Sequence, residues 1–244
     1  MSLKIKNLSV SLGKISILRD INLIIKSGEI HVLMGPNGSG KSTLAQALIG
    51  YKNYKLNNEN YELKIDGKNI NKLQTDERAR EGLFLAFQNP VSVTGVSVAD
   101  LLRSACQYND KFKKFSIWEF NKQILKKAQI LGIPQDFLKR DVNESFSGGE
   151  KKKLEMLQAL MLKPKYAIFD EVDTGLDMDA LKKIAESIIY LKNQGTGILL
   201  ITHYSLLLKL VKPKFVHILL KGRIIKSDGY KLAMEVEKKG YANF

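Results

Sequence analysis

The sequence predicts an α/β fold in which a parallel-sheet core and an antiparallel β lobe are interrupted by an inserted α-helical subdomain. Three observations carry this reading. Compact apolar runs at 29–34, 166–169 and 197–202 each end in a glycine-rich or polar loop, and helical patterns follow the first two. Between 89 and 162 the apolar residues recur at helical spacing instead. The 244 residues are 44% apolar and 26% charged, ordinary globular composition with length for one sizeable domain or two small lobes.

Each element follows in order. Residues 3–10 and 15–25 read as two strands of the β lobe. Glu29-Ile30-His31-Val32-Leu33-Met34 is a buried strand that feeds directly into Gly35, after which Leu44, Leu48 and Ile49 recur at helical spacing until Gly50 ends the segment. Residues 51–61 are polar and Asn-rich, a surface loop, before a strand at 62–65, an Asp66-Gly67 turn and a strand over 83–88. Helical patterns over 98–106, 117–131 and 150–162 make up the insertion. The strand at 166–169 runs into Asp170-Glu171, followed by a helix over 178–193, a strand at 197–202 and His203. A strand at 215–220, a Lys221-Gly222 turn and a strand over 223–226 close the core. The chain is thus expected to divide into a core lobe (1–88 and 163–226), a helical subdomain (89–162) and a C-terminal helical tail (227–244).

Composition excludes several classes of protein. No apolar stretch approaches the roughly 18 residues that cross a bilayer, so no direct membrane insertion is expected. The first twelve residues alternate apolar and polar and read as a strand, not a leader. The single cysteine, Cys106, forms no internal disulfide and holds no zinc or iron–sulfur cluster by itself, which suits a reducing compartment and leaves oxygen ligands for any metal. A cytoplasmic location is expected, with a plastid or other organelle stroma as the alternative, given the Lys, Asn and Ile bias. The net charge of +14 raises nucleic acid as a partner, yet only six of the 39 basic residues are Arg, the residue suited to bidentate base and phosphate contacts. A solvated Lys-rich surface and no nucleic-acid partner is the expectation; nucleotides are compatible with either reading.

Gly35-Pro36-Asn37-Gly38-Ser39-Gly40-Lys41-Ser42-Thr43 fits the P-loop pattern. Its glycines let backbone N–H groups turn inward around phosphate oxygens, and the following helix presents its positive end. Lys41 reaches the β- and γ-phosphates of a nucleotide such as ATP, and Ser42 gives its hydroxyl to Mg²⁺, a hard cation that prefers oxygen. Asp170 stands at the C-terminal end of an apolar strand, where it can hold the Mg²⁺ through water, and Glu171 is placed to polarise the attacking water. Upstream, Ser147-Gly148-Gly149-Glu150 opens a helix with a hydroxyl and glycine N–H groups, a second anion site.

Together these motifs resemble the ATP-binding-cassette ATPases, which implies a RecA-like P-loop ATPase core carrying that family's fold. The resemblance makes Ser147-Gly148-Gly149 the signature, Gln88 the Q-loop glutamine that serves both catalysis and Mg²⁺, Thr174-Gly175-Leu176-Asp177 the D-loop whose Asp177 lies at the nucleotide, and His203 the switch histidine. It also implies that the signature faces the γ-phosphate held by a second copy, so that two ATP molecules are sandwiched in a head-to-tail dimer. Where many members stack an aromatic residue on adenine, this chain has Leu12, which loosens the expected grip on the base.

Phe146-Ser147-Gly148-Gly149-Glu150 followed by Lys151-Lys152-Lys153 departs from the usual leucine start and glutamine end. With Phe87-Gln88-Asn89-Pro90 and the stretch from Asp170 to Lys182, it is similar to one branch of the family, the cassette ATPases of the Suf iron–sulfur assembly machinery. That likeness implies scaffold partners SufB and SufD, docked on the helical subdomain near Gln88 to Leu102 and rearranged when ATP closes the dimer. The chain itself is not expected to carry a cluster, having one Cys and three His, at 31, 203 and 217. His31 and His217 sit within apolar strands and read as core or edge residues. Cys106, beside Leu101, Leu102 and Ala105, reads as a small buried hydrophobe. The Lys151–Lys153 run is either a solvated helix face or the source of a resting ion pair with Glu171 or Asp173. Two rival functions use the same motifs: the energy-coupling subunit of a membrane transporter, and a DNA-repair or chromosome protein. The latter is disfavoured by the lack of sustained heptads and cysteine pairs.

Overall fold

In the computed structural model, which describes residues 1–56, 60–107, 116–241 and 244, β1 (Ser2–Leu12) pairs antiparallel with β2 (Ile15–Lys26). Leu3, Ile5, Leu8 and Val10 all point inward although the spacing slips from two to three between Ile5 and Leu8. Asn7, in the left-handed region at φ 53°, supplies a bulge that restores the face. Along the chain follow β3 (Ile30–Met34), α1 (Lys41–Ile49), β4 (Lys55–Leu56), β5 (Glu62–Ile65), β6 (Lys68–Asn69), α2 (Thr75–Arg80) and β7 (Leu83–Ala86). The helical insertion contains β8 (Val93–Ser97), α3 (Val98–Gln107), α4 (Ile117–Leu131), a 3-10 turn (Gln135–Lys139), β9 (Asp141–Val142) and α5 (Gly148–Leu162). The chain then returns through β10 (Tyr166–Asp170), α6 (Met178–Asn193), β11 (Gly197–Ile201), α7 (Ser205–Val211), β12 (Phe215–Leu220), β13 (Arg223–Asp228) and α8 (Lys231–Lys239).

The strands form a six-stranded sheet in the order β13-β12-β3-β11-β10-β7, parallel except for β13, and an antiparallel lobe in the order β2-β1-β5-β6 with β4 beside β1. Burial on both faces explains the continuous apolar runs. Ile30, Val32, Met34, Ala167, Phe169, Ile198 and Leu200 face the helices α5, α6 and α7. Leu33, Ile168, Leu199 and Ile201 face α1 and the β lobe. All parallel strands therefore end on one side of the sheet, and the loops after β3, β10 and β11 meet there.

Several elements depart from the pattern reading. The expected loop 51–61 contains β4, which pairs with Val10 and Ser11; residues 57–59 lie outside the described residues. Short α2 carries a single apolar residue and no helical period. It is held by a Gln74–Glu77 capping box and by Arg78, whose guanidinium donates to Ala47 O, Leu48 O, Leu73 O and Asn71 O, closing the C-terminus of α1. Neither the β8–β9 pair nor the seven-residue α7 has enough residues for a period to emerge.

His31 and His217 are buried, as core histidines, and they touch. Glu29 Oε2 accepts from His31 Nε2 at 3.0 Å, so His31 Nδ1 is the acceptor for His217 Nε2–H at 3.0 Å, and His217 Nδ1 accepts the Ser227 hydroxyl at 2.7 Å. Burial raises the Glu29 carboxyl, but the bonds from Lys214 and His31 outweigh it and hold the group at about 2. Burial pushes His31 down and His217 down to about 4, the latter helped by its neighbour's charge. The folded protein thus holds neutral imidazoles that the unfolded chain protonates near 6.5. This stability is complete above pH 6.5 and is lost as pH falls towards 4, with His217 alone contributing about 3 kcal/mol. Imidazole shifts followed by NMR against pH should show His217 neutral down to about pH 4. Titration at the ordinary histidine value means that the pair is solvated.

Candidate functional site

The glycine loop Gly35 to Gly40 leaves the C-terminal end of β3 and enters α1 with Gly40 as N-cap at φ 106°. Gly40 has no side chain to cap the helix, so the first α1 amides stay open to an anion. A Cβ at Gly35 meets Leu219 O at 2.3 Å and one at Gly40 meets Leu18 Cδ2 at 2.6 Å, so glycine is required by close approach. The β12–β13 turn braces the loop from below: Gly222 N–H donates to Ser39 O at 3.2 Å and Gly222 O accepts from Arg19 N at 2.8 Å. Gly222, at φ 77°, leaves a Cβ only 2.0 Å from Ile17 O. Gly222→Ala should therefore cost about 2 kcal/mol or more, read as a lowered urea midpoint.

Lys41 is buried, and its Nζ donates to Gly35 O at 2.8 Å and Pro36 O at 3.1 Å. Burial lowers its pKa against the pull of Glu171 and Asp170. Asp170, at the end of β10, is 2% exposed; its Oδ1 has no partner, and its carboxylate is bonded by the Ser42 side chain. Burial and the adjacent Glu171 raise its pKa, while Ser42, Lys152 and Lys41 lower it. A buried orphan carboxylate oxygen beside a hydroxyl is a donor set that fits Mg²⁺.

At Glu171 the chain turns through the left-handed region, φ 51°, with its N–H on Ile201 O and its carbonyl accepting from the Thr174 hydroxyl. This backbone is costly for a residue with a side chain and turns the carboxylate away from the strand axis. Its Oε2 accepts from Gln88 Nε2 at 2.6 Å, so the sheet brings two of the expected groups into direct contact. Asp173, also buried, accepts from the Thr202 hydroxyl at 2.7 Å, and that oxygen accepts Tyr204 N–H at 2.9 Å. The loops after β10 and β11 are tied together around exposed His203, whose charge counters the burial that raises the Asp173 carboxyl.

Ser147 caps α5 in a reciprocal box with Glu150, whose carboxylate takes Ser147 N–H at 2.7 Å; Gly148 and Gly149 supply the next, open amides. A Cβ at Gly149 lies 3.4 Å from Leu176 Cδ2, so the Thr174–Asp177 loop rests against the signature. Asp177 is the N-cap of α6, accepting from Ala180 N at 2.7 Å. No described hydrogen bond or ion pair joins Ser147–Gly149 to the glycine loop of the same chain. Leu12 lies 47% exposed on the β1–β2 hairpin.

Neither reading of the lysine run, solvated face or resting ion pair, holds at Lys152. Lys152 is buried, not solvated, and makes no ion pair with Glu171 or Asp173 among the described residues. It donates to Phe87 O at 3.3 Å and Gln88 O at 2.6 Å, because α5 places it under the segment leaving β7. Cys106 is buried as expected, and burial pushes its thiol up to about 11. Pattern reading places Gly222 in a turn and gives no role to Glu155, Thr202 or Tyr241. The Tyr241 phenol, which accepts Gly35 N–H, brings the C-terminal tail onto the glycine loop. Among the described residues no helix is long and apolar enough to cross a membrane.

A glycine loop opening a helix, a buried acid at the next strand end and a second acid held by a glutamine define a P-loop nucleotide hydrolase. The family model described as "ABC transporter" matches residues 18–174. A probable ATP-dependent transporter, ycf16, of Pyropia yezoensis is 46% identical over 242 residues, covering 98% of this chain and 96% of the relative. Vegetative protein 296 of Bacillus subtilis is 42% identical over 241 residues, covering 98% and 92%. The chain belongs to the ATP-binding-cassette (ABC transporter) family and is an ATPase of that family. Solved structures agree on the fold: an ATP-binding subunit of an ABC transporter superposes with a TM-score of 0.81 at 24% identity, covering 99% of this chain and 95% of that one. A dimeric cassette in a post-hydrolysis state with ADP and Pi gives 0.79 at 23% identity, covering 93% and 98%.

Proposed function

We propose that the chain is the SufC-type ATPase subunit of a Suf iron–sulfur cluster assembly complex, which binds and hydrolyses MgATP in a head-to-tail dimer to rearrange a SufB–SufD scaffold. The single observation that carries this reading is the branch-specific sequence: Phe146 to Lys153 at the signature and Asp170 to Lys182 after it. The buried position of Lys152 supports it, since this departure from the general pattern is built into the loop that begins at Gln88. The scaffold contact falls on the face from Gln88 to Leu102, where Val91 and Val93 are exposed apolar residues. The cytoplasm is the proposed location, with an organelle stroma as the alternative.

In the proposed chemistry, the amides of Gly38, Gly40 and the start of α1 hold the phosphates, and Lys41 turns from its carbonyl partners to the β- and γ-oxygens. Ser42, Asp170 and Gln88 would hold Mg²⁺, which when bound supplies charge for the terminal phosphates. Glu171 accepts a proton from the attacking water, Gln88 fixes the carboxylate that does so, and His203 faces the γ-phosphate. Ser147, Gly148 and Gly149 of a second copy close the site, with Asp177 across the same interface.

A membrane transporter motor is the second reading, supported by relatives such as the probable ABC transporter ATP-binding protein of Streptococcus pyogenes, 43% identical over 241 residues. Affinity purification of the tagged chain from its own source, with soluble and membrane fractions kept apart, decides between them. Two strand-rich scaffold proteins in stoichiometric amount are expected. A polytopic membrane protein in their place overturns the assembly reading and leaves the ATPase chemistry intact.

A further inference from the structure

The segment that follows β7 leaves the sheet at Ala86, the last residue in register with β10. Beyond it Phe87 and Gln88 are exposed residues without ladder partners, and their peptide groups that lie against α5 need partners there. Two buried side chains of α5, three residues apart and so on one face, take their place. Glu155, 5% exposed, accepts Phe87 N–H on Oε2 at 3.0 Å, and its other oxygen accepts from Gln158 at 3.4 Å. Lys152, equally buried, donates to Phe87 O at 3.3 Å and Gln88 O at 2.6 Å. An acid and a base thus grip one stretch of backbone from both sides, and Gln88 reaches from that stretch to Glu171 at 2.6 Å.

We propose that Glu155 is a positioning residue for ATP hydrolysis: it fixes the Phe87–Gln88 backbone so that the Gln88 amide meets the Glu171 carboxylate. A buried carboxylate costs several kcal/mol unless it is bonded. Here its strongest bond goes to the loop that carries Gln88, and none goes to the nucleotide loop. The inference rests on Gln88 and Glu171 serving hydrolysis, as set out above.

Steady-state ATPase rates and MgADP affinity, measured on the full chain, test it in a double-mutant cycle. Glu155→Ala should lower kcat about tenfold while leaving MgADP affinity within about twofold, and Glu155→Gln, which keeps an acceptor for Phe87 N–H, should recover most of the rate. In a Gln88→Ala background, Glu155→Ala should slow the enzyme by less than about twofold, since the group it positions is gone. An equal loss in both backgrounds overturns the proposal but spares the site reading. Gln88→Ala with the wild-type rate overturns the site reading itself. Should Glu155→Ala fail to fold, hydrogen exchange of the unaltered protein decides: protection of the Phe87 amide comparable to β7 supports the clamp, and rapid exchange overturns it.

Discussion

Glu171→Gln should bind MgATP as tightly as the unaltered chain and hydrolyse it at least about 100-fold more slowly, the scale at which a positioned general base contributes. The substitution keeps the size and the left-handed backbone demand of the residue, and the amide can still accept from Gln88, so the geometry around Asp170 and Ser42 persists. Only the capacity to take a proton from water disappears. With the nucleotide unspent, the variant should accumulate as an ATP-bound dimer. Phosphate release and sedimentation with MgATP check both parts, and near-normal turnover removes Glu171 from the mechanism.

Ser147→Arg should abolish hydrolysis to a similar extent, about 100-fold, by blocking the anion site at the start of α5 that, in the proposed dimer, closes over a second copy's nucleotide. Its own glycine loop is untouched, and nucleotide binding to the single chain should survive. The substitution also removes the N-cap of α5, a loss of about 1 kcal/mol, so melting curves must show the variant folded. Mixing it with Lys41→Ala supplies a discriminating result. In a head-to-tail dimer the mixture regains one intact site, and therefore activity that neither variant has alone. If Ser147→Arg by itself turns over at the normal rate, the sandwich model fails.

The parts of the fold legible in the sequence were those with enough residues for a period to show. α4 and α6 fall on the expected bounds 117–131 and 178–193, and β12 on 215–220, because amphipathic stripes of four turns and strands buried on both faces are unambiguous. β4, β6, α2 and the β8–β9 pair were not legible, since two to six residues of polar chain carry no pattern and their stability comes from partners such as Arg78 or β1. At the site, Gly35 to Thr43, Asp170 and Glu171 were legible because phosphate chemistry fixes both residue type and spacing. For the Lys151–Lys153 run the pattern leaves open a solvated face or an ion pair, and Lys152 fits neither. Charge alone suggested a carboxylate, whereas burial on α5 placed its ammonium against two carbonyls. Glu155, Thr202 and Tyr241 act through backbone groups or neighbours distant in sequence, and no local pattern announces such contacts.

The order of strands in the central sheet also sets the order in which the molecule can be built. β3, which carries the glycine loop, lies between β11 and β12, and β7 has only β10 as a neighbour. Neither early strand has a sheet partner until the chain has been synthesised past Tyr166, and β3 waits until Gly197 to Leu220. A growing chain therefore carries β3 unpaired until Gly197 and β7 unpaired until Tyr166, an interval in which strand edges are exposed to aggregation. The nucleotide loop is finished later still, when the turn at Gly222 slides beneath Ser39 and Tyr241 reaches Gly35. The contacts that brace the nucleotide loop therefore form only after the chain has passed Gly222 and Tyr241.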